Sequence, residues 1–370
     1  MRKILIASLA LLMPAGLPLA ASAQDAAPAV SLPEGKVKAV MTAAVNRYIR
    51  PGYDDFAKSA TETTKVVGAL CAAPSGANFE AARKAFHDTA KSWAHIEIVR
   101  VGPIIEQNRF ERILFYPDRK STGLKQVQAV LSKSDETATD PKTLGTKSVA
   151  TQGLGALEYL LFGTDAETLA TGDRDSFRCR YAVAVAGNIA NVGREVADIW
   201  DAPDGIQKAW EEPGPDNPAF RTGSESMTAL LGILVHGAEA VRDQRIETFY
   251  KGADKVKFPK QALFWRSQAT WPMVVANLNG LKSLLAVSNM AELLPEKDRP
   301  IVAAIDAQLT QLASTAGSAS PDLEKAVSDE AERQKLDMLL AGSKEVIAKL
   351  NDGYGGAIGL SSGFSFADGN

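Results

Sequence analysis

From residue 35 onward, apolar residues recur at three- and four-residue spacings, and strict two-residue alternation is nearly absent. That period belongs to amphipathic helices rather than half-buried strands. Pro- and Gly-rich loops interrupt it and predict helices over 35–49, 53–72, 78–101, 122–132, 147–162, 176–200, 223–243, 260–287, 298–315 and 321–351. The segment 200–220, "WDAPDGIQKAWEEPGPDNPAF", holds four prolines and no helical period, which makes it the main internal break. The pattern therefore predicts an all-α fold of two helical bundles, over 24–200 and 223–370, joined by a linker at 201–222. The closing "NDGYGGAIGLSSGFSFADGN" is too glycine-rich for a helix and is expected to be irregular.

The first residues change the picture of compartment. A basic start at Arg2 and Lys3, an apolar core over 4–12 and the small-x-small "ASA" before Gln24 read as a secretory signal peptide, cleaved after Ala23. The apolar core is too short to span a bilayer, and no cysteine follows the cleavage site to carry a lipid. The expected mature chain is exported and soluble, periplasmic in a Gram-negative cell. Losing Arg2 and Lys3 moves the formal net charge from −3 to −5, and with no basic run this argues against nucleic acid as a partner. In an oxidising compartment the two cysteines, Cys71 and Cys179, are expected to form one disulfide.

Three segments carry candidate chemistry. On a helix near "FHDTAKSWAHIEIVRVGPI", Trp93, Glu97 and Arg100 share a face, so Glu97 and Arg100 can pair at i,i+3, as a structural ion pair or as the charged lining of a cleft. His95 points almost opposite, as a surface or packing histidine. In "TQGLGALEYLLFG" at 151–163, Leu154, Leu157 and Leu161 form a core stripe with Glu158 at its edge. A carboxylate there needs a partner, Arg100 or Arg109 being candidates, or something to coordinate. Gly155, on the same side, would let a neighbour or ligand approach closely. In "LLGILVHGAEAVRDQRI", His236, Glu239 and Asp243 share a face away from the leucine stripe, and a His and Glu at i,i+3 can reach one metal ion or form a solvated polar face. No G-x-S-x-G, H-E-x-x-H, phosphate-binding glycine loop or C-x-x-C-H is present, so no recognised catalytic motif is visible.

Several segments, in order, resemble the imelysin (M75 peptidase) family of bacterial envelope proteins: the Trp93…Glu97-x-x-Arg100-x-Gly102-Pro103 stretch, "FYPD" at 115–118, "QGLGALEYLLFG", "RCRYA" at 178–182, "SQATWPMVVANLNGL" at 267–281 and "GFSFADGN". The resemblance implies two related helical bundles with a site between them and a role in iron acquisition. It also implies a metal-binding motif, G-x-H-x-x-E, matched here by Gly153 and Glu158 with Gly155 at the histidine position. His236 and Glu239 are candidates to complete a ligand set with Glu158 around a divalent or iron ion.

The expected function is a non-enzymatic role in iron uptake. The ligand would be a metal, an iron complex or an uptake partner from the envelope, held at a cleft lined by Glu158, Gly153, Gly155, Trp93, Glu97 and Arg100. The alternatives are an M75-type metallopeptidase and an envelope interaction module that binds no metal.

Overall fold

A computed structural model describes residues 32–361, so the leader expected at 1–23 and residues 362–370 lie outside the described residues. Among the described residues there is no strand. The first half contains α1 (Glu34–Ala44), α2 (Arg50–Ala72), α3 (Gly76–Ile96), α4 (Arg109–Ile113), α5 (Thr122–Lys133), α6 (Pro141–Leu144), α7 (Leu154–Phe162), α8 (Thr168–Thr171) and α9 (Phe177–Asp201). There follow α10 (Ile206–Glu211), α11 (Gly223–Ala240), α12 (Thr270–Val287), α13 (Pro300–Gly317), α14 (Leu323–Ser328), α15 (Glu330–Ala348) and α16 (Gly356–Ile358). The all-α reading of the sequence holds.

Two of the long helices, α3 and α11, start on side-chain caps. Ser75 caps α3 by accepting from the Asn78 amide at 3.2 Å, and Thr222 caps α11 by accepting from the Glu225 amide at 3.2 Å. The Glu225 carboxylate reaches back to the Arg221 amide at 2.6 Å, so first-turn donors left open by the helix are used.

Several boundaries differ from the periodicity, each for a physical reason. The helices expected at 35–49 and 53–72 form one continuous rod, because a π-helical turn, Val45–Ile49, joins α1 to α2. The helix expected at 78–101 stops at Ile96, where side chains from elsewhere take its last carbonyls. The helix expected at 147–162 begins only at Leu154, with Gly153 as its N-cap. The 260–287 helix begins at Thr270. Within the expected linker, α10 forms and buries Trp210 against Trp200 and Phe220, with ring centroids at 5.6 and 5.3 Å. The tail expected to be irregular is helical through Ile358, by way of a π turn, Lys349–Gly355. Glycine is tolerated there because the backbone runs close to its neighbours: a Cβ on Gly355 would stand 2.9 Å from Leu231 and one on Gly353 would stand 3.1 Å from Ile301.

The two sequence halves meet across one continuous apolar core. In the first half α2 packs against both α3 and α9; in the second, α12 packs against α13, and α13 against α15. The join is α3 against α12, with α1 also lying on α11. Trp93, Trp200, Phe56 and Phe86 are completely buried in this core.

Cys71, near the end of α2, and Cys179, at the start of α9, form the expected disulfide, with Cα atoms 5.5 Å apart and 108 residues between them in sequence. It ties together two helices that already pack along their length. A closed loop of that size restricts the unfolded chain strongly, so replacing both cysteines with alanine should lower unfolding free energy by about 2–5 kcal/mol. Chemical denaturation of the double variant beside wild type measures it; an unchanged midpoint would show that the bridge adds nothing.

Candidate functional site

The end of α3 organises the centre of the molecule. The last carbonyls of a helix have no partner within it and must find one elsewhere. Here Asn277 of α12 donates to the Ala94 carbonyl at 2.6 Å and the Tyr48 hydroxyl donates to the His95 carbonyl; just past the helix end the Tyr53 hydroxyl donates to the Val99 carbonyl at 2.7 Å. The chain then turns, with Val99 N bonded to Ile96 O and Arg100 N to Ile98 O. Glu97 and Arg100 therefore leave the helical face on which they were expected to pair.

Glu97 instead meets Arg245, 148 residues away, at 2.6 Å, and accepts from Asn277 at 2.6 Å with the same oxygen. Both side chains of the ion pair are 4% exposed. Arg245 comes from a π-helical turn, Val241–Ile246, that continues α11, and its guanidinium lies 5.3 Å from the centre of the Tyr116 ring. The other Glu97 oxygen, Arg245 Nε and Nη1, Asn277 Oδ1 and the indole nitrogen of Trp93 have no protein partner. Trp93 is fully buried between Phe56 and Phe110, so it is core rather than the wall of a cleft.

Glu97, Arg245 and Asn277 lie at one side of a groove of about 890 Å³. Arg100 lines the same groove, bonded to Glu111 at 3.1 Å and stacked over Phe110 at 4.1 Å. α11 forms a wall of the groove with His236 and Glu239, and the π turn contributes Asp243, the face expected from their spacing. His236 Nδ1 and Glu239 Oε2 are 2.9 Å apart. Gly237 allows this wall to come close: a Cβ there would stand 2.8 Å from Leu281 and 3.2 Å from Ile98. At the mouth, Arg119 and Lys120 line the groove. Both are exposed.

Glu158 is elsewhere. It lines a second cavity of about 300 Å³ with Gly153, Gly155, Tyr159, Trp265 and Arg266. The segment containing Phe115 and Asp118 lines both cavities and divides them. Glu158 pairs with neither Arg100 nor Arg109; the latter is held by Glu195 at 3.1 Å and the Pro103 carbonyl at 2.9 Å. One Glu158 oxygen accepts from the Ser267 amide and hydroxyl, each at 3.1 Å, and the other lies 3.9 Å from Arg266. Burial lifts the Glu158 carboxyl above its ordinary value of 4.5, with Arg266 and the Ser267 hydrogen bonds pulling the other way.

The sequence pattern of the imelysin (M75 peptidase) family matches residues 49–350. The chain belongs to the imelysin family. Its fold is similar to that of an imelysin-like protein from Psychrobacter arcticum 273-4, with TM-score 0.71 and 18% identity over 90% of this chain and 99% of that one. It is also similar to a Parabacteroides distasonis ATCC 8503 protein described as a "putative iron-regulated protein A precursor", with TM-score 0.67 and 12% identity over 88% of this chain and 97% of that one. No curated protein matches the chain.

The family's motif can be tested against this imelysin's own geometry. A Cβ on Gly153 would stand 2.5 Å from the Ile113 carbonyl oxygen, so that glycine is required by packing. A Cβ on Gly155 would meet nothing within 4 Å, so there is room for a side chain where the motif has histidine, and this chain provides none. Glu158 already has a donor set, and among the described residues no three His, Cys, Asp or Glu side chains converge on a common point. His236 and Glu239 line the other cavity and do not join Glu158. The residues at Glu158 do not fit a bound metal ion.

Ser267, Arg266, Arg245 and Asn277 were not visible as site residues in the sequence, because each meets its partner across more than a hundred positions. A carboxyl raised above its unfolded value favours the folded state most below that unfolded value, and the contribution falls as pH rises toward the folded value. Glu158→Gln removes this penalty while keeping an acceptor for Ser267. Its melting temperature relative to wild type should therefore be higher at about pH 7 than at about pH 4. A difference independent of pH would show that Glu158 is as comfortable charged when folded as when unfolded.

Proposed function

We propose that this imelysin is a non-enzymatic exported protein of bacterial iron acquisition that binds an anionic iron complex in the larger groove and passes it to an uptake partner in the envelope. The observation that carries this reading is the groove's lining. At about 890 Å³ it lies in the range of small-molecule sites. Its acids are Glu97, Asp118, Glu225, Glu239 and Asp243, and of its bases Arg245 and Arg100 are held by Glu97 and Glu111, so the charges it offers an anion are those of the exposed Arg119 and Lys120. Arg119 and Lys120 at the mouth are placed to draw in negative charge. His236 and Glu239 offer only two donors for a bare ion, so the iron is read as arriving inside its own chelate. The link to iron rests on the family and on the iron-regulated description of the Parabacteroides neighbour.

Titration of the purified protein with ferric citrate, followed by calorimetry, tests the reading. Wild type should bind it more tightly than uncomplexed ferric ion, and the affinity should fall with added salt. Arg119→Glu with Lys120→Glu should weaken binding by about tenfold or more, equivalent to about 1.4 kcal/mol. Equal binding by the double variant, or no binding of anionic chelates by wild type, would overturn it.

A further inference from the structure

Between the π turn after α11 and the wall of the Glu158 cavity, the chain forms a closed loop over 249–258. Its ends are tied by the Phe258 amide donating to the Phe249 carbonyl at 2.9 Å, and its turn is closed by Lys255 N to Gly252 O at 3.2 Å. Gly252 has φ +117°, a backbone conformation open mainly to glycine. Phe249 and Tyr250 are buried, so the loop stands on a fixed base.

What the loop presents is unusual for this protein. Among the described residues, four large apolar side chains are exposed, and two of them are here: Val256 at 72% and Phe258 at 45%. They are flanked by Lys251, Lys255, Lys257 and Lys260, with Asp254 the one acid over 251–260, a local excess of three positive charges on a chain of net charge −3. Among the described residues these lysines form no ion pair: Lys257 donates to the Ala253 carbonyl, and Lys260 lies 5.8 Å from the centre of the Trp265 ring. Arg266 lies on that same ring at 4.4 Å.

We infer that the 251–260 tip docks on an anionic phospholipid surface. Val256 and Phe258 enter the boundary between headgroups and acyl chains, and the lysine ammoniums contact lipid phosphates. Apolar side chains ringed by lysine suit that boundary, where long stems lie along apolar surface and charged heads stay in water. A protein partner is less well matched: two side chains on a narrow loop cannot bury the area of a stable interface, and such interfaces are depleted in lysine. Trp265, beside Lys260, stands where an interfacial aromatic would sit. The docked loop would bring the mouth of the Glu158 cavity, which Lys260 and Trp265 also line, near the membrane.

Sedimentation with vesicles of phosphatidylcholine plus phosphatidylglycerol, and of phosphatidylcholine alone, tests the inference. Wild type should partition onto the anionic vesicles, and salt should weaken the binding. Val256→Ser with Phe258→Ser, and separately Lys255→Glu with Lys257→Glu, should each reduce partitioning by about tenfold or more. All four positions face solvent or the loop surface, and an unchanged far-UV spectrum and melting temperature would establish that the variants fold. Trp265 supplies a second readout, since Trp93, Trp200, Trp210 and Trp271 are all buried. Brominated phosphatidylglycerol should quench its emission in wild type and lose that effect in Trp265→Phe. Equal partitioning by wild type and both double variants, equal binding to neutral vesicles, or no vesicle binding with capture of an acidic protein instead, would each overturn it. None of these outcomes depends on whether the larger groove binds an iron complex.

Discussion

The ion pair between Glu97 and Arg245, with Asn277 bonded to the same carboxylate oxygen, is the constraint on which the central architecture depends. It sits where α3 ends and joins that end to α12 and to the turn after α11. Asn277 acts twice, capping the Ala94 carbonyl and bonding Glu97, so one side chain both terminates a helix and fixes a charge. The approach of α12 leaves no room for a larger residue at Gly280, where a Cβ would stand 2.3 Å from the His95 carbonyl oxygen. A buried pair of this kind contributes little net stability, because desolvation offsets its attraction, but losing one partner leaves a costly unpaired charge. The pair is satisfied only when α3, α12 and the turn after α11 meet as they do here.

Helical irregularity places the anchors. Tyr48, Arg245 and Tyr354 each lie in a π-helical turn, and each makes a long-range polar contact: to the His95 carbonyl, to Glu97 and to the Met290 carbonyl. An extra residue in one turn rotates the following side chains relative to a regular helix. Arg245 thereby reaches Glu97 from a helix whose upstream face presents His236 and Glu239 to the groove. The π turn thus serves the junction, while the regular helix before it lines the groove.

The fold class was legible because the apolar period is sustained over long segments, and period is set by secondary structure itself. The faces of His236, Glu239 and Asp243 were legible for the same reason. The Glu97–Arg100 pair was not, since the helix ends at Ile96 through contacts from Tyr48 and Asn277 that no local pattern encodes. The expected single cleft failed likewise: Glu158 and Glu97 line separate cavities because the Phe115–Asp118 region runs between them. Local spacing reports which side of a helix a residue occupies; it carries no information about what packs against that side. The motif that marks the chain as an imelysin holds a carboxylate whose partners, Ser267 and Arg266, are more than a hundred residues distant.

A double-mutant cycle on Glu97→Gln and Arg245→Met, read by equilibrium unfolding, tests the role of the junction most directly. Arg245→Met alone leaves Glu97 buried without its counter-charge and should lower stability by about 3–5 kcal/mol. The double variant should be more stable than Arg245→Met alone, with the two substitutions far from additive. Additive effects, or an Arg245→Met protein as stable as wild type, would contradict the account.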